Sequence, residues 1–283
     1  MTDAKPSIEP AVPAAQPARL HLLPAKGAPV VVVLRRKPSR LYHIVRINTK
    51  TGSWEQGSWF TGRLYSMRCD VSFDGNWLVY LALGAKGESW NGISMLPRLT
   101  TVAEGPNMGT WNGGGYWSTA KVLKLNCWEI TKGQVPFRTE PLTPEYGGED
   151  LSVLYPRLER DGWRRAGKNW GSDRQVPKTA KYTVKRIGDE GWHFQPSRPH
   201  PTLHCWFAGY LKHGYTFRFR LLEDPDLLDD SVDWATYDSE GQLVVARKGV
   251  VTVYALLTKN KLVSRFQFDL ESLVPTKRKV SNH

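Results

Sequence analysis

A chain of 283 residues that is 40% hydrophobic and 11% aromatic carries enough apolar material for a substantial core, which excludes an intrinsically disordered protein and leaves room for one large all-β domain or two ordinary ones. Its net charge of +12 gives a positive field that attracts nucleic acid, anionic lipid or an acidic protein without ranking them. Cys69, Cys127 and Cys205 are odd in number and form no C-x-x-C, which argues against a disulfide framework or zinc ribbon and for a reducing cytoplasm. Apolar runs such as Val30 to Leu34 are far shorter than the roughly 20 residues of a membrane span, and the N-terminus lacks the pattern of a signal peptide.

Residues 1–18, with Pro6, Pro10, Pro13 and Pro17, read as a disordered leader. Strands are predicted at Leu20–Leu23, Val30–Leu34, Leu41–Ile47 and Trp54–Phe60, separated by Gly27, a basic loop and Asn48–Gly52. Next comes the clearest hairpin of the chain, Met67 to Leu83, in which apolar residues flank Asp74-Gly75. Further strands are expected at Leu203–Leu211, Leu243–Ala246, Val250–Leu257 and Leu262–Leu270, the last with Ser264, Phe266 and Phe268 inward. Thr276 to His283 reads as a loose basic tail.

Ser72-Phe73-Asp74-Gly75-Asn76-Trp77-Leu78-Val79-Tyr80 resembles the Ser-Pro-Asp-Gly-x-x-Leu-x-Tyr core of TolB-type and WD40-type β-propeller repeats, with Phe73 where Pro is usual. A weaker echo runs from Ala235 to Val245. The segment from Tyr42 to Trp117 is also similar to a group of uncharacterised bacterial proteins, a resemblance that supplies no activity. The resemblance implies an all-β, propeller-like fold of roughly five to six irregular blades with long loop insertions over residues 19–275, at about 40 to 45 residues per blade.

The positive charge is regional. Arg157 to Arg220 holds fourteen Lys and Arg against five Asp and Glu, and Glu223 to Glu240 then holds eight acids with no Lys or Arg, so the two blocks are able to neutralise each other. Within the basic interval Trp163, Arg164, Arg165, Lys168, Trp170, Arg174, Lys178, Lys181, Lys185 and Arg186 interleave cations with aromatics, as single-strand nucleic-acid binders do. No recognised nucleic-acid-binding motif accompanies them. A second candidate loop is Trp111-Asn112-Gly113-Gly114-Gly115-Tyr116-Trp117, where three glycines permit close backbone approach between aromatics that can pack inward or stack on a partner.

Catalytic patterns are weak. Gly162 to Asn169 nearly spells a phosphate-binding loop but lacks its Ser or Thr. His200, His204 and Cys205 are metal-ligand types, yet His204 and Cys205 would face opposite sides of a strand. No Ser, His and Asp set stands at a nucleophile elbow. The sequence therefore predicts no catalytic residue, metal or cofactor. It points to an interaction scaffold or accessory subunit of a bacterial complex, such as one in defence or signalling, with an acidic protein partner. A nucleic-acid-binding subunit using residues 157–220 is the alternative, and a propeller hydrolase the third reading.

Overall fold

Five apolar residues in a row, Val30 to Leu34, require a strand covered on both faces, and the computed structural model supplies that cover. It describes residues 16–37, 39–142, 150–165, 191–197, 199–211, 214–258 and 261–275. Strand β2 (Val30–Arg36) lies between β1 (Arg19–Pro24) and β3 (Leu41–Asn48) in an antiparallel sheet. Side chains alternate along it. Val31 and Val33 join Leu20, Leu22, Val45 and Ile47 in one core, while Val30, Val32 and Leu34 join Leu23, Tyr42 and Ile44 in another. The first sheet is thus an apolar layer between two others.

Strand β4 (Trp54–Leu64) closes the first sheet and opens the second. Trp54 to Thr61 pair with β3, and from Gly62 to Leu64 the strand pairs instead with β6 (Trp77–Gly84). The second sheet continues through β7 (Ser89–Met95) and β8 (Thr101–Glu104), with β5 (Asp70–Val71) on the free part of β6. One face of β6 packs Leu78, Tyr80 and Ala82 toward the first sheet. Its other face sends Val79, with Ile93 and Ala103, against Trp117, Leu123 and Leu125 of a third sheet. That sheet contains β9 (Gly115–Thr119), β10 (Val122–Leu125) and, parallel to β10, β12 (Arg138–Pro141); β11 (Lys132–Gly133) returns to β8.

A helix, α1 (Leu151–Asp161), follows where the sequence reading placed none. Leu151, Leu154, Tyr155 and Leu158 recur at helical spacing and are all buried. Pro156 inside the helix obscures this pattern, since proline removes a backbone donor. Gly162 ends the helix at φ 111°: its N–H donates to Glu159 O and that of Trp163 to Leu158 O, a left-handed glycine cap. Gly162 therefore terminates a helix, whereas in a phosphate-binding loop the glycines precede one.

The fourth sheet is β13 (Arg164–Arg165), β14 (Trp192–Phe194), β15 (Leu203–Leu211) and β16 (Gly214–Leu221); the fifth is the meander β17 (Val232–Tyr237), β18 (Leu243–Arg247), β19 (Val250–Thr258) and β20 (Lys261–Asp269). Both contribute to the core that also holds α1 and one face of the first sheet. The described chain is thus all-β in class. The alternation expected along β20 holds at Phe266 and Phe268 but not at Ser264, which is exposed. The register shifts there, pairing Phe266 with Val253 but Ser264 with Tyr254, so Arg265 is the extra residue of a bulge.

The hairpin at Asp74 has the geometry its sequence implies. Ser72 Oγ accepts the N–H groups of Asn76 and Trp77, and Gly75 takes φ +75° with its N–H on Ser72 O. The echo at Asp238 builds a related turn: Asp238 Oδ1 accepts from Glu240 N and Gln242 N, and Gly241 sits at φ +79° with its N–H on Asp238 O. Each turn joins the first two strands of its meander, β5 to β6 and β17 to β18. Of the expected leader, Gln16–Ala18 are described, and the buried Ala18 donates its N–H to Glu271. Residues 1–15 and the tail 276–283 lie outside the described residues.

Candidate functional site

The glycine loop between β8 and β9 is held from three directions. Gly113 and Gly114 adopt φ +116° and +72°, a region that side chains disfavour, and a Cβ on Gly114 would come within 2.0 Å of Arg68 O. Asn91 Oδ1 accepts from Gly114 N at 2.8 Å, Asn126 Nδ2 donates to Gly113 O at 3.0 Å, and Trp128 Nε1 donates to Gly114 O at 2.7 Å. Arg68, 1% exposed, aims Nη1 at the carbonyls of Thr110, Trp111 and Asn112, at 2.9, 3.1 and 3.4 Å, while its Nε pairs with Asp150 at 2.7 Å. Nearby, Ser89 donates to Gly109 O.

The backbone is fixed, and the side chains separate. Trp111 is 75% exposed and Met108 also faces solvent. Trp117 is buried, with Phe137 edge-on at 5.6 Å, and Asn112 and Tyr116 are half-buried. Of the seven residues singled out in this loop, Trp111 is the aromatic presented outward.

Beneath the loop lies a cluster of charges that sequence reasoning did not single out. Arg160 bridges two buried carboxylates, reaching both oxygens of Asp70 and Oδ1 of Asp161, and also donates to Trp117 O at 3.0 Å. Asp70 Oδ2 accepts in turn from Trp117 N at 2.8 Å. Arg157, one helical turn earlier, donates to Cys69 O and Ser66 O and meets His21 Nε2 at 3.3 Å. Burial lowers the Arg157 pKa, partly offset by Asp70 and Asp161. For Arg160 burial acts in the same sense, but Asp161 and Asp70 outweigh it and raise the pKa, so this guanidinium stays charged. The signal that could have found the cluster is Arg157, Arg160 and Asp161 at helical spacing, invisible without the helix.

This cluster is structural in its chemistry. Asp70 is fully buried and both its oxygens are occupied, which leaves this carboxylate closed to a substrate. Burial pushes the Cys69 thiol up to about 12 and raises that of Cys205 well above its ordinary value, so neither supplies a thiolate near neutral pH. Among the described residues no three His, Cys, Asp or Glu side chains gather as a metal set.

The basic interval is only partly placed. Trp163 packs in the core with Phe194 at 5.5 Å, Arg164 is exposed, and Arg165 pairs with Glu159 at 3.2 Å while lying over Trp192 and Tyr155. Lys168, Trp170, Arg174, Lys178, Lys181, Lys185 and Arg186 lie outside the described residues. The acidic run takes cations from several elements: Arg218 meets Asp230 at 3.3 Å, Arg247 meets Asp229 at 3.5 Å and Lys50 meets Glu240 at 2.9 Å. Arg218 belongs to the basic interval, so in part the two blocks do neutralise each other.

Within the described residues no helix is long and apolar enough to cross a membrane. No protein-family model matches the chain, and no curated protein matches it.

Proposed function

We propose that this chain is a propeller-like, non-catalytic scaffold that recruits a protein partner through the loop around Trp111. The propeller reading is supported by how faces are shared: the first sheet packs on the second and the second on the third, while the fourth and fifth sheets share a core with α1 and the other face of the first. The matching turns at Asp74 and Asp238 favour repetition of a unit.

The observation that carries the binding reading is a tryptophan 75% exposed on a backbone fixed by a buried arginine. Exposed tryptophan is a hot-spot residue of protein interfaces, and a backbone already ordered loses little entropy on docking. The surplus of positive charge favours an acidic partner surface.

A photo-crosslinking residue placed in the full chain at the exposed Met108, in the same loop as Trp111, and separately at the exposed Lys121 as control, tests this in an extract of the native host. One protein species captured at 108 and not at 121, and displaced by unlabelled wild type better than by unlabelled Trp111→Ala, is the expected result. Equal competition by wild type and Trp111→Ala would overturn the site. Capture that disappears on nuclease treatment would replace the protein partner with nucleic acid.

A further inference from the structure

A cleft of about 600 Å³ opens where the β1–β2 turn, the C-terminal end of α1, the segment around β14 and the β17–β18 turn converge. Its charges are unevenly matched. Asp161 is occupied by Arg160, at 2.6 and 2.9 Å from Nη2 and Nε, and Asp238 accepts from Thr49, Gln242 and the Glu240 N–H. Among the described residues the cations have no such partners. There Lys26 Nζ donates to a backbone carbonyl, Asp161 O at 3.1 Å, and meets no carboxylate, and the Arg164 guanidinium makes no ion pair or side-chain hydrogen bond.

Two further observations define what would fit. The His193 ring lines the cleft with no side-chain hydrogen-bond partner among the described residues, and burial, then the charge of Arg164, lower its pKa. One wall is aromatic, Phe194 standing edge-on to Tyr237 at 5.3 Å. The volume lies within the roughly 300–1,000 Å³ of small-molecule sites and exceeds what a bare inorganic anion fills. Lys26 also covers the last carbonyl of α1, offsetting the negative end of the helix dipole.

We propose that this cleft binds a small phosphate monoester, with the phosphate between Lys26 and Arg164 and the organic group against Phe194. A phosphate monoester carries about −1.5 to −2 charges at neutral pH, which answers two unmatched cations better than a single carboxylate does. Arginine offers it a planar fork and lysine a compact point charge. This site is separate from the Trp111 loop and stands or falls independently of the scaffold reading.

Calorimetric titration of the full chain with phenyl phosphate and with inorganic phosphate tests it, alongside Arg164→Gln, Lys26→Gln and the control Lys132→Gln. Phenyl phosphate is expected to bind at least about tenfold more tightly than inorganic phosphate, and each cleft variant to lose about tenfold while Lys132→Gln loses none. Both cleft residues are exposed, so unchanged unfolding midpoints will show that the variants fold. The bound dianion should also move the His193 ring titration upward, read by its NMR signal. Equal binding by wild type and Arg164→Gln overturns the proposal, as does equal affinity for the two phosphates. Binding of a single-stranded oligonucleotide without binding of phenyl phosphate overturns it in favour of a nucleic-acid surface.

Discussion

The first sheet and the ground around α1 are two interiors built on different principles. Between β1, β2 and β3 the buried side chains are mainly aliphatic, and the sheet is held by many small, interchangeable contributions. Around α1 the interior holds Arg68, Arg157, Arg160, Asp70 and Asp161, where a few directional bonds each satisfy groups that burial would otherwise leave unpaired. In an apolar layer a lost side chain costs in proportion to its volume, whereas in a charged one the penalty depends on what is left behind. The charged interior also does something the apolar one cannot: it fixes the backbone of an exposed loop.

The largest effect should come from Arg160→Met, which strands two buried carboxylates and is expected to cost about 3–5 kcal/mol in urea unfolding. A triple variant that also carries Asp70→Leu and Asp161→Leu should recover much of that loss, because an all-apolar replacement leaves no charge unpaired. If the single variant lost under about 1 kcal/mol, the contrast between the interiors would collapse. Arg68→Ala removes the donor to three loop carbonyls and is expected to cost about 2–4 kcal/mol, with faster amide exchange at Trp111 and Asn112 than elsewhere in the second and third sheets. In the first sheet, Val33→Ala should cost about 2 kcal/mol by the same unfolding assay, with little change in exchange at the loop.

The pH dependence sharpens the contrast in an unexpected place. His43 of β3 is buried and stacked on Trp59 at 3.9 Å; burial, then the charge of Arg35, push its pKa down to about 4. Its folded-state pKa lies below the unfolded value near 6.5, so on acidification the unfolded chain takes up a proton that the native state refuses. Stability should fall as pH drops from 6.5 toward 4, and His43→Gln should flatten part of that slope in thermal melts. His21 and His204, also lowered, contribute in the same direction. Asp233, raised to about 6 by burial, works against them, since its native carboxyl takes up a proton first. This opposite-signed contribution should therefore disappear in Asp233→Asn, read in the same thermal melts.

Local chemistry made one of these interiors legible in the sequence. The strands from Leu20 to Phe60 and the Asp74 turn follow from β-branched runs and turn residues alone, and β1 to β4 occupy those positions. The charged interior was not legible, because its partners are far apart: Asp70 and Arg160 are brought together across ninety positions, and α1 is masked by Pro156. The glycine loop was half legible. Its glycines signalled close backbone approach, but which aromatic turns outward is decided by Arg68 and Asp70, from a different part of the chain.

The arrangement of the first sheet has a consequence during synthesis. The face of β1 that carries Leu20 and Leu22 is covered by residues such as Val245, Val251 and Leu270, and Arg35 of β2 is satisfied by the carbonyls of Leu270, Glu271 and Leu273. Leu270 lies 235 positions after Arg35. At roughly 5–20 residues per second, more than ten seconds of synthesis separate the N-terminal sheet from this part of its cover. Over that interval the uncovered strands of the first sheet are the part of the nascent chain most open to non-native pairing.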